Sequence, residues 1–343
     1  MVNGRTVIAL DAAGGDAGPA PIVAAALDCP DGIDVLLTGP PDLIRAHLDP
    51  AALPPHIRLL PAAEVVGMGD DPLSATWGKR HSSLLVAADA VRAGRADAMV
   101  TPGNTGAAVL AGAVRLRRVP GVRNPALATM LRVPGTGPTV LLDIGATAVN
   151  QPDWLVEFAV MGTAYARVRL GVEQPRVGLL SNGPEAVKGG PAQRDAHLLL
   201  STLPGYIGQV EAYDILSDRV DVAVTDGFTG DVALKTYERT LDLTALVAVN
   251  TVRAFSGDLA EQRAAEVSNA VRNSLAADPG GVLLGVRGVC VVCHGAASAH
   301  DIRGALRLAA DCVRDDVTGL VTAALRPAAA RQAPRTAVAM RSS

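Results

Sequence analysis

Cysteine is scarce in this sequence and long apolar runs are missing, and both facts exclude whole classes of protein. The chain has 343 residues and four cysteines, Cys29, Cys290, Cys293 and Cys312, which are too few for a disulfide scaffold. No run of about 18 apolar residues is present to span a membrane. The first residues lack the apolar core and cleavage site of a signal peptide. We therefore expect a cytoplasmic protein with reduced thiols.

Strong charge of either sign is also lacking. The formal net charge is −3 and charged residues make up 19% of the chain, so no global basic field exists to attract nucleic acid. Only three of the 31 basic residues are lysines, Lys79, Lys188 and Lys235. An ammonium group is compact and its pKa is easily tuned, unlike that of a guanidinium. The three lysines are therefore candidate functional residues, or else a chance remainder.

A short apolar strand, a glycine-rich turn and an amphipathic helix follow one another repeatedly along the chain. The segment "ADAMVTPGNTG" leads into "AAVLAGAVRL", and "DVAVTDGFTG" leads into "DVALKTYERTLDL". Short strands rich in Val, Ile and Leu that alternate with helices predict an α/β fold, a three-layer α/β/α sandwich with a mostly parallel sheet. Ligands bind at the carboxyl ends of strands in such sheets, so we expect the turns to meet in one crevice.

The same pattern predicts one α/β domain over residues 1–326. Residues from about 237 to 277 interrupt the alternation with a long helical stretch, which we interpret as a helical hairpin outside the sheet. After Leu325 no periodic core pattern remains. We therefore expect residues 327–343 to form a disordered tail.

Two of the turns match each other closely. Both fit D-x-x-V-T-x-G-x-T-G-x-x-x-L, one starting at Asp97 and the other at Asp221. Glycines let backbone N–H groups approach an anion, and a helix start adds partial positive charge. The pair predicts a site for phosphate or a phosphate-bearing ligand, formed by Asn104, Thr105, Gly106, Gly227, Thr229 and Gly230. The alternative is that such turns reuse Gly and Thr for backbone reasons alone.

Other polar residues follow strands or gather in turns. The first turn, "DAAGGDAGP", contains Asp11, Gly14, Gly15 and Asp16, and because it is not G-x-G-x-x-G it does not predict a dinucleotide site. The segment "GKRHSS" contains Lys79, Ser82 and Ser83, donors suited to an oxyanion or to a solvated helix start. Lys188 lies in a glycine-flanked loop. Asp226 follows a strand directly, as a general base or as an N-cap.

The segment "GVCVVCHGAAS" contains C-x-x-C-H, the spacing of covalent haem attachment and half of many zinc sites. The Val and Cys run is typical of a buried strand, in which alternation sends Cys290 and Cys293 to opposite faces. No second cysteine pair completes a zinc site. We therefore interpret these cysteines as small hydrophobic residues and expect neither a metal nor a cofactor.

From Ile8 to about Val313 the chain resembles the phosphate acyltransferase family. The motifs that carry the resemblance are "DAAGGD", "DPLSATWGKRHSS", "GNTG", "LLDIGA", "SNGPEAVKGG", "DGFTGDVALKT" and "GVCVVCHGAAS". The family is similar in fold to phosphate acetyltransferases and isocitrate-dehydrogenase-like enzymes. The resemblance implies an enzyme that moves an acyl group from an acyl-carrier-protein thioester to inorganic phosphate, giving acyl phosphate for phospholipid synthesis, without a metal or nucleotide.

The resemblance also implies roles for the candidate residues. Lys188 would stabilise the oxyanion of the reaction, and Asp226 would take a proton or orient the nucleophile. Substrate binding would fall to the residues that match the family motifs: Asp11, Gly14, Gly15, Asp16, Lys79, Ser82, Ser83, Asn104, Thr105, Gly106, Gly227, Thr229, Gly230, His294 and Gly295.

Several positions depart from the family pattern at its chemical motifs. Trp77 stands where Arg is usual, Val149 where Asp is usual, and Val292 where Lys is usual, and further changes occur at Ala13, His81, Thr147, Asp231, Ala296, Ala297 and Ser298. Two alternatives therefore stay open. One is acyl transfer from the carrier protein to an amine or hydroxyl acceptor. The other is a catalytically weak relative that binds the carrier protein.

Three partner interactions are predicted. "RLRRVPGVR" presents Arg115, Arg117, Arg118 and Arg123, a landing site for an acidic carrier protein or a solvated helix end. The helical excursion is rich in Leu and Val, which favours a homodimer contact, with peripheral contact at the inner membrane face as the secondary interpretation. Inorganic phosphate or another small acceptor is the expected second substrate.

Overall fold

A computed structural model describes residues 4–48, 53–133, 135–149, 151–255, 259–274 and 277–332. Eleven strands form one mixed sheet within these residues. They are β1 (Thr6–Asp11), β2 (Ile33–Gly39), β3 (Ile57–Pro61), β4 (Ala98–Thr101), β5 (Ala126–Leu131), β6 (Thr139–Leu142), β7 (Val177–Leu180), β8 (Tyr206–Val210), β9 (Val222–Val224), β10 (Gly281–Leu284) and β11 (Val289–Val292). Most are buried along their whole length, as expected for strands covered on both faces.

Eleven α-helices of the described segments surround the sheet. They are α1 (Pro19–Leu27), α2 (Pro41–Arg45), α3 (Pro72–Gly78), α4 (Ser83–Arg92), α5 (Thr105–Ala111), α6 (Pro152–Leu170), α7 (Pro191–Leu200), α8 (Gly227–Phe255), α9 (Ala260–Ser274), α10 (Ala299–Arg314) and α11 (Val317–Gln332). A π-helical turn, Gly112–Arg117, continues α5, and a short 3₁₀ turn covers Asp214–Leu216.

Two hydrophobic cores flank the sheet and confirm the predicted three-layer α/β/α sandwich. One core receives side chains from α1, α6, α10 and α11, such as Ile22, Phe158 and Ile302. The other receives side chains from α4, α5 and the first turns of α8, such as Leu85 and Leu234. The central strands are therefore covered on both faces by helices, whereas the outer strands β3 and β8 are partly exposed.

The strand order is β3-β2-β1-β4-β11-β10-β5-β6-β9-β7-β8. Strands β1 to β4 and β11 pair in parallel, and so do β6, β9, β7 and β8. Between the two sets, β10 is antiparallel to β11 and to β5, and β5 is antiparallel to β6. These three reversals leave the two parallel sets pointing in opposite directions.

The reversal changes where the turns lie. The carboxyl ends of β1, β4 and β11 lie at one edge of the sheet, called here the first edge. The carboxyl ends of β6, β9 and β7 lie at the opposite edge, called the second edge. This differs from the expected single crevice, because that expectation took one strand direction for the whole sheet.

The helical excursion is a pair of packed helices. Helix α8 starts at the second edge and passes the sheet, where the Tyr237 hydroxyl donates to the carbonyl of Arg132 at the end of β5. Beyond the sheet α8 packs against α9, and Arg253 pairs with Glu261 between them. The excursion begins at Gly227, ten residues earlier than the sequence pattern suggests.

The last helix also runs further than expected. Helix α11 continues to Gln332, whereas the sequence pattern places the start of a tail at residue 327. The alanines after Pro327 favour helix even without an apolar period. Residues 333–343 lie outside the described part of the chain.

Candidate functional site

The second edge brings together three neighbouring strands and both residues expected to be catalytic. Leu142 of β6 lies opposite Val224 of β9, and Val224 lies opposite Leu179 of β7. The loops that follow these three strands therefore start side by side. They contain Asp143 and Thr147 after β6, Asp226 and the second G-x-T-G turn after β9, and Lys188 after β7.

Asp143 is the acceptor of a buried group of hydrogen bonds at this edge, called here the Asp143 brace. The sequence analysis did not single out this residue. Its carboxylate accepts hydrogen bonds from the backbone N–H groups of Leu127, Ala146 and Thr147, at 2.7–2.9 Å, and from the Thr147 hydroxyl at 2.8 Å. Burial raises the pKa of Asp143, and these bonds oppose that rise. The sequence feature that could have identified Asp143 is its position directly after a strand, in "LLDIGA".

The second G-x-T-G turn packs tightly on this brace. The N–H of Gly227 donates to the Thr147 hydroxyl at 3.2 Å. A methyl group at Gly230 would overlap the Asp143 carbonyl oxygen, and one at Gly227 would overlap the Thr147 carbonyl oxygen. The glycines are thus required by backbone contacts, which is the backbone explanation that the sequence left open.

Asp226 caps the helix that this turn begins. Its Oδ1 accepts from the Thr229 N–H and its Oδ2 from the Thr229 hydroxyl, both at 2.9 Å. Of the two roles considered from the sequence, these contacts match the N-cap.

Lys188 differs from the other two lysines. Lys79 pairs with Asp70 at 2.5 Å and Lys235 pairs with Asp231 at 2.7 Å. Among the residues that the structure describes, no carboxylate lies within ion-pair distance of the Lys188 ammonium. Its loop is tied back by the Gly189 N–H, which donates to Asn182 Oδ1 at 2.9 Å.

The helix start next to Lys188 is uncapped. Helix α7 begins after Gly190, whose position provides no side-chain cap, and Pro191 has no N–H to satisfy. The first N–H groups of a helix carry partial positive charge and attract anions. Lys188 and the start of α7 therefore form a positive region in the loop after β7, where the Lys188 carbonyl accepts from the side-chain amide of Gln209 on β8 at 3.5 Å.

The first edge gathers most of the remaining candidates. The carboxylate of Asp11 accepts from the Thr101 hydroxyl at 2.8 Å and from the Ala13 N–H at 3.2 Å. Burial raises the pKa of Asp11, and hydrogen bonds from Ser83 and Thr101 oppose that rise. Asp11 thus joins the ends of β1 and β4 and the start of α4.

Close backbone approaches fix the turns of this edge. A Cβ atom at Gly14 would lie 2.8 Å from the backbone of Gly103, and one at Gly15 3.0 Å from the Gly295 carbonyl oxygen. The Asp16 N–H donates to the same Gly295 oxygen at 2.8 Å. The segments after β1, β4 and β11 are therefore in direct contact.

The first G-x-T-G turn caps itself as the second does. Asn104 Oδ1 accepts from the Ala107 N–H at 3.0 Å, while its amide donates to the carbonyls of Met68 and Asp70. Thr105 and Gly106 begin α5, and Pro72 covers Gly106 closely. The turn is therefore covered by the segment that leads into α3.

Lys79 and the two serines are less available than the sequence suggests. The Lys79 ammonium donates to Asp70 and to the Val65 carbonyl at 2.9 Å. Ser82 and Ser83 are both buried, and Ser82 Oγ has no hydrogen-bond partner in the described structure. These three residues therefore serve the structure of the loop before α4.

His294 follows β11 next to Gly295 and faces helix α8. Burial raises the pKa of Glu238 on α8, and the imidazole of His294 and the ammonium of Lys235 oppose that rise. Helix α8 therefore links the two edges, because it starts at Asp226 and reaches His294 about three turns later. The sequence did not suggest a role for Glu238, because His294 comes from a distant segment of the chain.

The departures from the family pattern have different environments. Trp77 and Val149 are each 55% exposed, so an apolar surface replaces expected charge near both edges. Val292 is 6% exposed inside the second core, where an aliphatic side chain fits well. Thr147 donates to the Asp143 brace, so its hydroxyl has a clear structural use.

The cysteines of C-x-x-C-H lie as the strand alternation predicts. Cys290 belongs to one hydrophobic core and Cys293 to the other, and all four cysteines are free thiols. Burial raises the pKa of each of these two thiols to about 12.

Within the described segments no group of three or more His, Cys, Asp or Glu side chains is arranged to bind a metal ion. No described helix has the length and apolar character to cross a bilayer.

Comparisons with known proteins agree with this geometry. Residues 6–320 match the model of a family described as fatty acid synthesis protein. The phosphate acyltransferase of Thermosynechococcus vestitus is 39% identical over 334 residues, covering 95% of this chain and 97% of that protein. That of Desulforudis audaxviator is 40% identical over 322 residues, covering 92% and 94%.

Solved structures show the same fold at low identity. A phosphotransacetylase from Streptococcus pyogenes superposes with a TM-score of 0.62 at 15% identity, covering 91% of this chain and 95% of that one. A branched-chain phosphotransacylase from Enterococcus faecalis gives 0.57 at 12% identity, covering 90% and 99%. Each contains the α/β arrangement described above.

Proposed function

The chain belongs to the fatty acid synthesis protein family, whose curated relatives are phosphate acyltransferases, and we propose that it transfers an acyl group to inorganic phosphate. The donor is the thioester of an acyl-carrier protein and the product is an acyl phosphate. The observation that carries the proposal is the Lys188 ammonium, which forms no ion pair in the described structure and lies in the loop after β7, the strand that pairs with β9.

The reaction is an addition followed by an elimination. A phosphate oxygen attacks the thioester carbonyl carbon, the carbonyl oxygen becomes negative, and the C–S bond then breaks to release the thiolate, which takes up a proton. A fixed cation near the developing oxyanion lowers the barrier more than one that must leave a carboxylate first. In the described structure Lys188 has no such ion pair to break, whereas Lys79 and Lys235 each have one.

The second edge also supplies anion donors for the phosphate. The start of α8, whose first N–H groups carry partial positive charge, follows β9, and β9 pairs with the strand that leads into the Lys188 loop. In this proposal Asp226 acts by positioning that helix start, because both of its oxygens are bound to Thr229. Phosphate near neutral pH needs little help from a base. The first-edge residues keep their proposed role in substrate binding.

The homodimer is also a proposal, and it rests on the outer part of the hairpin. Leu243, Leu246, Val247, Phe255 and Leu259 are exposed on α8 and before α9. An exposed apolar surface of this kind is typical of a contact between subunits, with a membrane surface as the secondary choice. Light scattering on the purified protein tests it, and a monomeric mass would refute it.

The test of the main proposal is a trapping assay. Purified protein is incubated with a medium-chain acyl-carrier protein, with and without inorganic phosphate, and acyl phosphate is trapped with hydroxylamine. Phosphate-dependent hydroxamate is the expected result. If the thioester stays intact while the carrier protein binds, the chain is a binding relative. A product that forms without phosphate, identified by mass spectrometry, would indicate another acceptor.

A further inference from the structure

Three arginines converge at the second edge, and only two of them are neighbours in sequence. Arg117 and Arg118 follow α5, and Arg287 lies in the turn between β10 and β11. The Arg287 N–H donates to the Arg117 carbonyl at 2.9 Å, and Arg118 forms a bridge with Val286. All three residues are exposed. They are called here the arginine patch.

The patch has an excess of positive charge. Its arginines have no carboxylate within ion-pair distance among the residues described. The nearby acids are already engaged: Asp89 by Arg115, and Asp153 and Glu157 by Arg123. Arg118 donates to the Arg123 carbonyl and helps to lower the pKa of Glu157. Two of the four arginines in the predicted basic strip are thus neutralised locally, and Arg287 is a new member. In a chain of net charge −3, such a surface attracts an acidic partner.

The backbone holds Arg117 in an unusual conformation. Arg117 ends the π-helical turn Gly112–Arg117 with a φ of 69°, a region that favours glycine. Single π-helical turns occur often at functional sites, and strained residues persist where the surroundings fix them. A glycine would adopt this conformation without strain, so replacing Arg117 by glycine removes its charge at no conformational cost.

The patch shares the edge of the sheet with the proposed catalytic residues. The turn between β10 and β11 lies at the starting end of β11, which is the finishing end of β6 and β9. Four strand spacings of about 4.8 Å separate β10 from β7, the strand that leads into the Lys188 loop, or about 19 Å in all. A protein docked on the patch is therefore within reach of Lys188 by a flexible arm.

We propose that Arg117, Arg118 and Arg287 form the docking surface for the acidic carrier protein that delivers the acyl thioester. This rests on the proposed function, since it assigns a location to the protein-borne donor of that reaction. Long-range attraction between opposite charges speeds encounter and fixes orientation, and it weakens as salt rises.

The experiment compares a carrier-bound with a carrier-free donor. The triple variant Arg117→Gly, Arg118→Gln, Arg287→Gln is assayed with acyl-carrier protein and with an acyl-pantetheine thioester. The ratio of the two kcat/KM values should fall about tenfold at low salt, and fluorescence anisotropy should show weaker binding of labelled carrier protein with a shallower salt dependence. Arg58→Gln, an exposed arginine on the far strand β3, is the matched control and should leave the ratio unchanged.

The outcomes are separable. A ratio within twofold of wild type, or no carrier-protein binding by the wild type, overturns the proposal. If the triple variant folds poorly, Arg287→Gln alone should lower the ratio two- to threefold. If the wild type makes no acyl phosphate from either donor, the proposed function fails. The anisotropy measurement then still decides whether the patch binds the carrier protein.

Discussion

The Lys79 ammonium lies 2.5 Å from Oδ2 of Asp70. Hydrogen bonding to this ammonium lowers the pKa of Asp70, which favours the carboxylate form of Asp70. With Lys235 paired to Asp231 in the same way, Lys188 is the lysine for which the described structure shows no ion pair. This difference yields the first prediction.

Replacing Lys188 by alanine should lower kcat for acyl phosphate formation about 10²-fold or more, because a preorganised oxyanion donor is lost. Lys235→Ala removes an equal charge from an exposed ion pair and should change kcat less than threefold. Hydroxamate formation measures both. A Lys188→Ala enzyme within threefold of wild type would refute the proposed role.

Adding one methyl group at Gly230 should destabilise the fold, because the group would meet the Asp143 carbonyl. Overpacking against backbone costs about 1–3 kcal/mol, which urea denaturation of Gly230→Ala measures. Gly78→Ala is the matched control. No atom lies within 4 Å of its added Cβ at the end of α3, so the free energy of unfolding should stay equal or rise by about 0.5–1 kcal/mol. Equal unfolding free energies in the two variants would contradict the close packing.

The stability of the protein should carry a pH signature of Asp11. Its pKa is raised in the folded state by burial, so the folded state favours the protonated acid. Its stabilising contribution is therefore present below the unfolded pKa and is lost as pH rises through the folded pKa. The difference in melting temperature between wild type and Asp11→Asn should fall as pH rises from about 4 to 8. A difference that grows with pH would show that the folded site prefers the carboxylate.

The thiols should react slowly in the folded protein. Burial raises the pKa of Cys290, Cys293 and Cys312 to about 12, and that of the partly exposed Cys29 to about 11. Because the thiolate is the reactive form, a disulfide reagent at pH 8 should modify at most Cys29 within the time that labels all four thiols in urea. Fast labelling of Cys290 or Cys293 in native protein would show that β11 opens readily.

The sequence predicts the layers of the fold well and their directions poorly. Runs of Val, Ile and Leu separated by helices are local features, and they suffice to predict the three-layer sandwich. The antiparallel pairing of β5 with β6 and β10 is set by contacts between distant segments. No local pattern distinguishes such a strand from its parallel neighbours, so the division of the turns between two edges was not predicted.

The side-chain contacts of the candidate site were hard to predict for the same reason, because they join distant segments. Lys188 and Asp226 could be singled out because each follows a strand in a glycine-rich loop, and in the structure the two preceding strands pair with each other. Whether a lysine is paired could not be predicted, because Asp70 reaches Lys79 through a loop of its own. Arg287 escaped notice for a similar reason, since its neighbours Arg117 and Arg118 lie about 170 residues earlier.

Helix α8 has a mechanical consequence for the whole molecule. It is one continuous helix of 29 residues, about 43 Å long, fixed at its start by the Asp226 cap and one third of the way along by Tyr237. Helix α8 is therefore attached to the sheet at two points, and its C-terminal part extends beyond the sheet. If a second subunit or a bilayer displaces this outer part, the displacement acts on the Asp226 cap and on the Tyr237 hydrogen bond together, and so on both edges of the sheet.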